Sequence, residues 1–281
     1  MQFEFAGTLA VPDGRYLARS EAGQQVLVVE TAGAPPPPRR RRRRPKESEQ
    51  GAGPAPLPLS RVTAVQAEEP FEQASEADAW LEEALASEDA IDAAVAEGIA
   101  LLNRAIHAHA VASADPLSAE LRADHATTVR IGHGSGKEVA SSRFTTAHEV
   151  DVHGGRSQRR RRDEELRPQE RVAAVLGGRE QLDACETLML RARADLDNDR
   201  RREAALQLRI GLEALLIELD SALADADHER DMAELEARRG EVGEAANAAL
   251  RSDLPVDDEH NVVELLEICE RVLRRRRVLR G

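Results

Sequence analysis

Aliphatic side chains recur at helical pitch through almost the whole last third of the chain. That recurrence restricts the fold more than any motif does. Leu182, Cys185, Met189, Ala192 and Leu196 follow one another at steps of three and four residues. After an Asn198-Asp199 turn the same spacing carries Ala205, Leu208, Leu212, Leu215, Leu219 and Ala222. A third stripe holds Met232, Leu235, Val242, Ala246 and Ala249, with Arg239 intruding. Beyond Pro255, with Asp257 or Asp258 as cap, Val262, Leu265, Leu266, Cys269, Val272 and Leu273 mark a last helix. Residues 167–281 are therefore expected to form an antiparallel helical bundle, opened by Pro168 in a first turn. Leu206, Ile210 and Ile217 lie on another face of the second stripe, which predicts that this helix is the most buried.

Four Phe, one Trp and one Tyr are all the aromatics the chain has, so Ala, Leu, Val and Ile must build its cores. Small aliphatic side chains let helices approach closely, whereas β-sandwiches draw on aromatic and β-branched residues. The N-terminal part nevertheless reads as strands. Residues 1–32 are expected to form a small β-meander, with a Pro12-Asp13-Gly14 turn and a second turn at Glu21-Ala22-Gly23. Residues 33–60 combine Pro35–Pro38 with six consecutive arginines and predict a disordered linker.

Residues 61–152 predict an α+β module packing with 1–32. It holds a short strand at 61–66, a helix capped by Ser75 and Asp78, and a stripe of Ile91, Val95, Ile99, Leu102 and Ile106 ended by Asp115-Pro116. A helical turn over Leu117–Asp124 should follow. Strands at Thr127–Ile131 and Phe144–Val152 then pair with each other or extend the meander. Residues 153–166 predict a second, basic linker. The fold class is mainly α with a small β part, an α+β chain.

Charge follows this division. The chain carries a net −13, and the two folded parts are acidic while the connectors are basic. That argues against a fold built to lie along nucleic acid. Two cysteines inside helical patterns predict buried, reduced thiols rather than a disulfide framework. No signal peptide is expected at Met1–Ala10, and no apolar run approaches the ~20 residues of a membrane span. A cytoplasmic location is the expectation.

Three features invite chemistry. Gly132, Gly134, Gly136 and Lys137 offer free backbone N–H groups and a cation, the elements of a phosphate cradle. The loop departs from a Walker A motif in its glycine spacing and in Glu138 after the lysine, so a hairpin-type loop is the favoured reading. His107, His109, His125, His133, His148 and His153 are close in sequence, but His107 and His109 point apart on a helix, and no metal site is expected. Finally, Arg39, Arg40, Arg41, Arg42, Arg43 and Arg44, Arg159, Arg160, Arg161 and Arg162, and the run Arg274–Arg277 are candidate phosphate contacts on nucleic acid or an anionic surface. They lack neighbouring aromatics for base stacking, and at 274–277 the helix dipole already favours cations.

Leu101–His109, Ala114-Asp115-Pro116, the segment Val129–Val150 and Ala184–Leu188 resemble a family of uncharacterised actinobacterial proteins. The resemblance implies a GC-rich bacterial origin, in keeping with arginine as all but two of the 39 basic residues, and no known activity. Residues 180–219 are similar to a single tetratricopeptide-type helix pair, below the three repeats a solenoid needs. The resulting expectation is a non-enzymatic adaptor or regulatory protein without a cofactor, which binds a protein partner or itself through helical faces. Nucleic-acid binding through the arginine runs, and an enzyme or phosphate site at 125–153, are the alternatives.

Overall fold

The computed structural model describes residues 1–20, 23–33, 57–67, 70–152, 168–219 and 225–280. Most of the expected linkers at 33–60 and 153–166, with Arg39–Arg44 and Arg159–Arg162, lies outside the described residues. The chain divides into two compact units, Met1–Arg156 and Ser157–Gly281, and the fold is α+β.

In the first unit, β1 (Gln2–Ala6), β2 (Gly14–Ser20), β3 (Gly23–Ala32), β4 (Leu59–Gln66), β5 (Thr128–His133) and β6 (Thr146–Glu149) form one antiparallel sheet. Their order is β2-β3-β4-β1-β5-β6. The first three strands are therefore not a simple meander, because β4 lies between β1 and β3. The register explains this: Val62 of β4 sits between Phe3 of β1 and Val29 of β3, so three buried side chains line up across the sheet. The last two strands do both things expected of them, since β5 pairs with β1 and with β6.

Helices α1 (Ala74–Ala84) and α2 (Glu88–Ser113) cover one face, where Leu81, Val95, Leu102 and Ile106 pack with Phe3, Phe5, Leu27, Val29, Val129 and Ile131. At Gly98 a Cβ would come within 2.8 Å of the Phe3 ring, so α2 lies directly on the sheet. The expected Ser75–Asp78 cap is not used. Glu76 accepts the N–H groups of Glu72 and Gln73 instead, while Asp78 bonds His133 at 2.8 Å. The helical turn expected at 117–124 shrinks to a 3-10 turn at Ala123–His125. The Asn103 amide ties down the Leu121 backbone, donating to its C=O at 2.9 Å and accepting from its N–H at 2.8 Å.

The second unit contains α4 (Pro168–Leu176), α5 (Ala184–Asp197), α6 (Arg201–Glu218), α7 (Ala226–Ala237), α8 (Arg239–Ala249) and α9 (Val256–Arg280); α3 (Gly136–Val139) is a short helix of the first. Cross-helix bonds fix the directions. Glu218 of α6 caps Ala184 and Cys185 of α5, Arg209 of α6 bonds Gly243 of α8, and Arg193 of α5 bonds Glu270 of α9. Each pair is antiparallel, around a core of Cys185, Met189, Leu208, Leu212, Leu215, Leu235, Leu265, Leu266 and Cys269. The third stripe is two helices, broken at Arg238. There Glu241 N–H bonds the Arg238 carbonyl one residue short of helical register, and the guanidinium is drawn to Glu241 and Glu264. Nor is α6 buried all round: Ile210 and Ile217 are 58 % and 76 % exposed. Small Ala204, Ala205 and Gly211 let the neighbouring helices close on the opposite face alone.

Ala114 ends α2 in the left-handed region at φ 52, where Asp115 N–H bonds the Ala110 carbonyl. An L-residue is disfavoured there by about 1–2 kcal/mol, offset in part by the greater chain entropy of glycine. Ala114→Gly is therefore expected to stabilise the first unit by about 0.5–1 kcal/mol. Denaturation followed by the fluorescence of Trp80, the single tryptophan, measures it, and a loss of stability would contradict this account of the cap.

Candidate functional site

The glycine loop has a structural task. The segment 134–145 between β5 and β6 arches back over the sheet face that α1 and α2 leave open. Gln2 Nε2 donates to the Ser142 carbonyl at 2.9 Å, and Arg15 Nε, on the opposite edge strand, donates to the Ala140 carbonyl at 2.6 Å. Val28, Thr63 and Gln2 are buried along the row beneath. At Gly132, inside β5, a Cβ would collide with the Thr146 carbonyl oxygen and stand 2.8 Å from Ala147 Cα. Three donors of this loop, from Ser135 and Thr145, are held by the chain's own carboxylate. Glu138 Oε2 accepts from Ser135 N at 3.0 Å, Ser135 Oγ at 2.9 Å and Thr145 Oγ1 at 2.8 Å. The Thr145 hydroxyl, with Ser135, keeps that carboxyl below the usual range. Gly134 lies against Thr145, and Gly136 and Lys137 lie in α3, with Lys137 exposed.

The histidines disperse. His133 turns to Asp78, His148 is exposed on β6, and His125 stands 4.0 Å from Asp124 in the 3-10 turn; His153 lies outside the described residues. Among the described residues no three His, Cys, Asp or Glu side chains gather as metal ligands. Both cysteines are free and buried; burial pushes the Cys269 thiol up to about 12 and raises that of Cys185 as well. A groove of about 340 Å³ between α6 and α8 has its guanidiniums engaged: Arg239 pairs with Glu213, and Arg209 donates to Gly243 O and Asn247 Oδ1.

The third arginine run does not face outward as a unit. Arg275, with Arg271 one turn earlier, clamps Asp231 of α7 at 2.8 and 3.0 Å. Arg276 reaches Asp183 at 2.7 Å, and Arg277 reaches Glu186 of α5 at 3.1 Å. Glu186 takes a second guanidinium, Arg171 of α4, at 2.6 Å. In the first unit Glu4 is held likewise by Arg61 at 2.8 Å and Arg130 at 3.2 Å. These three carboxylates have side-chain exposures of 12 % for Glu4, 8 % for Glu186 and 3 % for Asp231. The Arg271 fork, with Arg275 beside it, holds the Asp231 carboxyl below the usual range. Burial works to raise Glu186, but Arg171 and Arg277 outweigh it and leave it lowered too.

The helices that meet at Glu186 carry several exposed apolar side chains. Val172 and Leu176 follow Arg171 on α4, and Val278 and Leu279 follow Arg277 on α9. Leu182 precedes α5, Leu190 lies one turn beyond Glu186, and Ile217 adjoins the Glu218 cap of α5. Among the described residues these are seven of the ten large apolar residues that the second unit exposes, and they lie toward one end of the bundle. Helical periodicity hid them, because Leu190 and Ile217 fall off the core-facing stripe yet read as ordinary helix content.

No protein-family model, curated protein or solved structure matches this chain. No described helix is long and apolar enough to cross a membrane.

Two expectations follow. Gly132→Ala should cost the first unit about 2–3 kcal/mol, because backbone must move to admit the methyl; an unchanged midpoint by Trp80 fluorescence would refute the close crossing. In the second unit, Asp231 has a lowered carboxyl, so its contribution to stability is present above the unfolded value near 4 and lost as pH falls below it. Asp231→Ala should cost about 2–3 kcal/mol at pH 7, with a smaller difference from wild type at about pH 3, below the unfolded value. Far-UV dichroism during denaturant titration at both pH values checks it.

Proposed function

We propose that this chain is a non-enzymatic adaptor or regulatory protein, and that the end of the bundle around Glu186 docks a partner protein. The concentration of exposed apolar side chains at this one end carries the reading. Monomer surfaces leave few such side chains adjacent to one another, and interface centres join apolar residues to engaged arginines. The net charge of −13 makes a different protein a better occupant than a second copy, since like-charged copies repel. The internal use of Arg275, Arg276 and Arg277 leaves nucleic acid less favoured as a partner of this unit.

The double variant Leu190→Glu, Val278→Glu places charge on two exposed sites with no core role. It should keep the wild-type dichroism spectrum and lose a nuclease-resistant partner that the wild-type chain captures. Capture that survives the double substitution, or a wild-type mass that doubles with concentration in light scattering, would dismiss this reading.

A further inference from the structure

The two edges of the six-stranded sheet differ. At one edge β6 has four residues, and its Glu149 stands 3.8 Å from Arg130 of β5. At the other, β2 has seven, and each pairs in order with β3, from Gly14 opposite Val29 to Ser20 opposite Gly23. Continuous register means that β2 contains no bulge, and it contains no proline. Among the described residues no strand pairs with its outer side. Such an edge presents backbone N–H and C=O groups that another extended chain can complete.

Side chains decide which chain that is. Arg15, Leu17 and Arg19 alternate onto one face of β2, and all three are exposed, Leu17 by 55 %. Leu17 stands opposite Val26 of β3, and Val26 opposite Val65 of β4. Both valines are half-buried, so an apolar row runs across the sheet to this edge, with an arginine two residues to either side of its end. Arg15 gives its Nε to the Ala140 carbonyl. Arg19 has no hydrogen-bond or ion-pair partner among the described residues, unlike Arg61 and Arg130, which close on Glu4. In a chain of net charge −13, this strand carries two arginines and no carboxylate.

That charge selects the occupant. Arginines on an edge guard it against unwanted pairing, and here they guard it against a copy. Two β2 strands paired antiparallel about a two-fold axis would gather four guanidiniums on one face of the seam, where like charges destabilise the pairing. An acidic strand meets the opposite situation. We propose that β2 is a docking edge to which a partner protein adds an extended segment, with an apolar residue opposite Leu17 and acidic residues opposite Arg15 and Arg19. Backbone bonds supply the attachment, and the acidic-apolar-acidic alternation supplies the choice of partner. This edge belongs to the first unit and is independent of the Glu186 end.

The test uses the full chain and a short labelled peptide, Ser-Thr-Glu-Thr-Val-Thr-Glu-Thr-Ser, followed by fluorescence anisotropy at low salt. The peptide should bind the wild type, and replacing both of its glutamates by lysine should weaken binding at least ~10-fold. Arg19→Glu should keep the wild-type dichroism spectrum, lose at least ~5-fold for the acidic peptide and gain for the lysine peptide. An extended peptide pairs through alternate residues along one of its edges. N-methylation of one alternate set of its amides should therefore abolish binding, and methylation of the other set should not. Amide exchange should slow in β2 on binding and stay unchanged in β6. No binding of the acidic peptide, equal binding of the lysine peptide, indifference to N-methylation, or protection at β6 in place of β2 would overturn the proposal. So would a wild-type dimer that Arg19→Glu disrupts, because a second copy would then hold the edge. If Arg19→Glu alters the fold, the peptide series on the wild-type chain still decides.

Discussion

Close approach of helices with small side chains is the constraint from which the second unit follows. With so few aromatics, the core is made by Ala, Leu, Val, Met and Cys, and the α5–α6 contact closes over Ala192, Ala204, Ala205 and Gly211. A bundle this narrow leaves little room between its apolar seam and its polar flanks. Carboxylates on the flanks, such as Glu186 and Asp231, are therefore carried under cover. Each must then be met by donors, and arginine meets them in pairs. Such clamps add little net stability over apolar residues of the same volume. Their effect is on register: α9 holds α7 through Arg271 and Arg275 and α5 through Arg276 and Arg277, so it cannot slide by a turn without stranding Asp231 or Glu186.

This changes what an arginine run means in such a chain. Four consecutive cations at the end of a helix suggest a phosphate-binding strip when only the sequence is seen. In the folded unit they point around the helix at roughly 100° steps, and Arg275, Arg276 and Arg277 go to Asp231, Asp183 and Glu186 on different sides. The information that decides between the readings is the position of Asp231 and Glu186, which lie 44 and 91 residues away from their partners Arg275 and Arg277.

The same distance in sequence separates what was legible from what was not. The stripes through Leu208, Leu212 and Leu215, or Val95 and Leu102, are local, and burial follows periodicity there. Insertion of β4 between β1 and β3 depends on Val62 meeting Phe3 and Val29, which no window reveals. Gly132 shows why a glycine-rich loop is a weak sign of phosphate binding. Its lack of a side chain answers to Thr146 and Ala147, and the Ser135 donors that follow it are taken by Glu138, the residue whose presence already spoiled the motif. For Ile210 and Ile217 periodicity misled outright, since apolar residues around a whole helix imply burial only when neighbours exist on every side.

The Glu186 node joins these threads. A buried carboxylate between two guanidiniums is a demand the fold must always satisfy, and it is met by Arg171 of α4 and Arg277 of α9. Removal of either guanidinium would strand a buried charge, so Arg171 and Arg277 tie α4 and α9 to α5 at the same point.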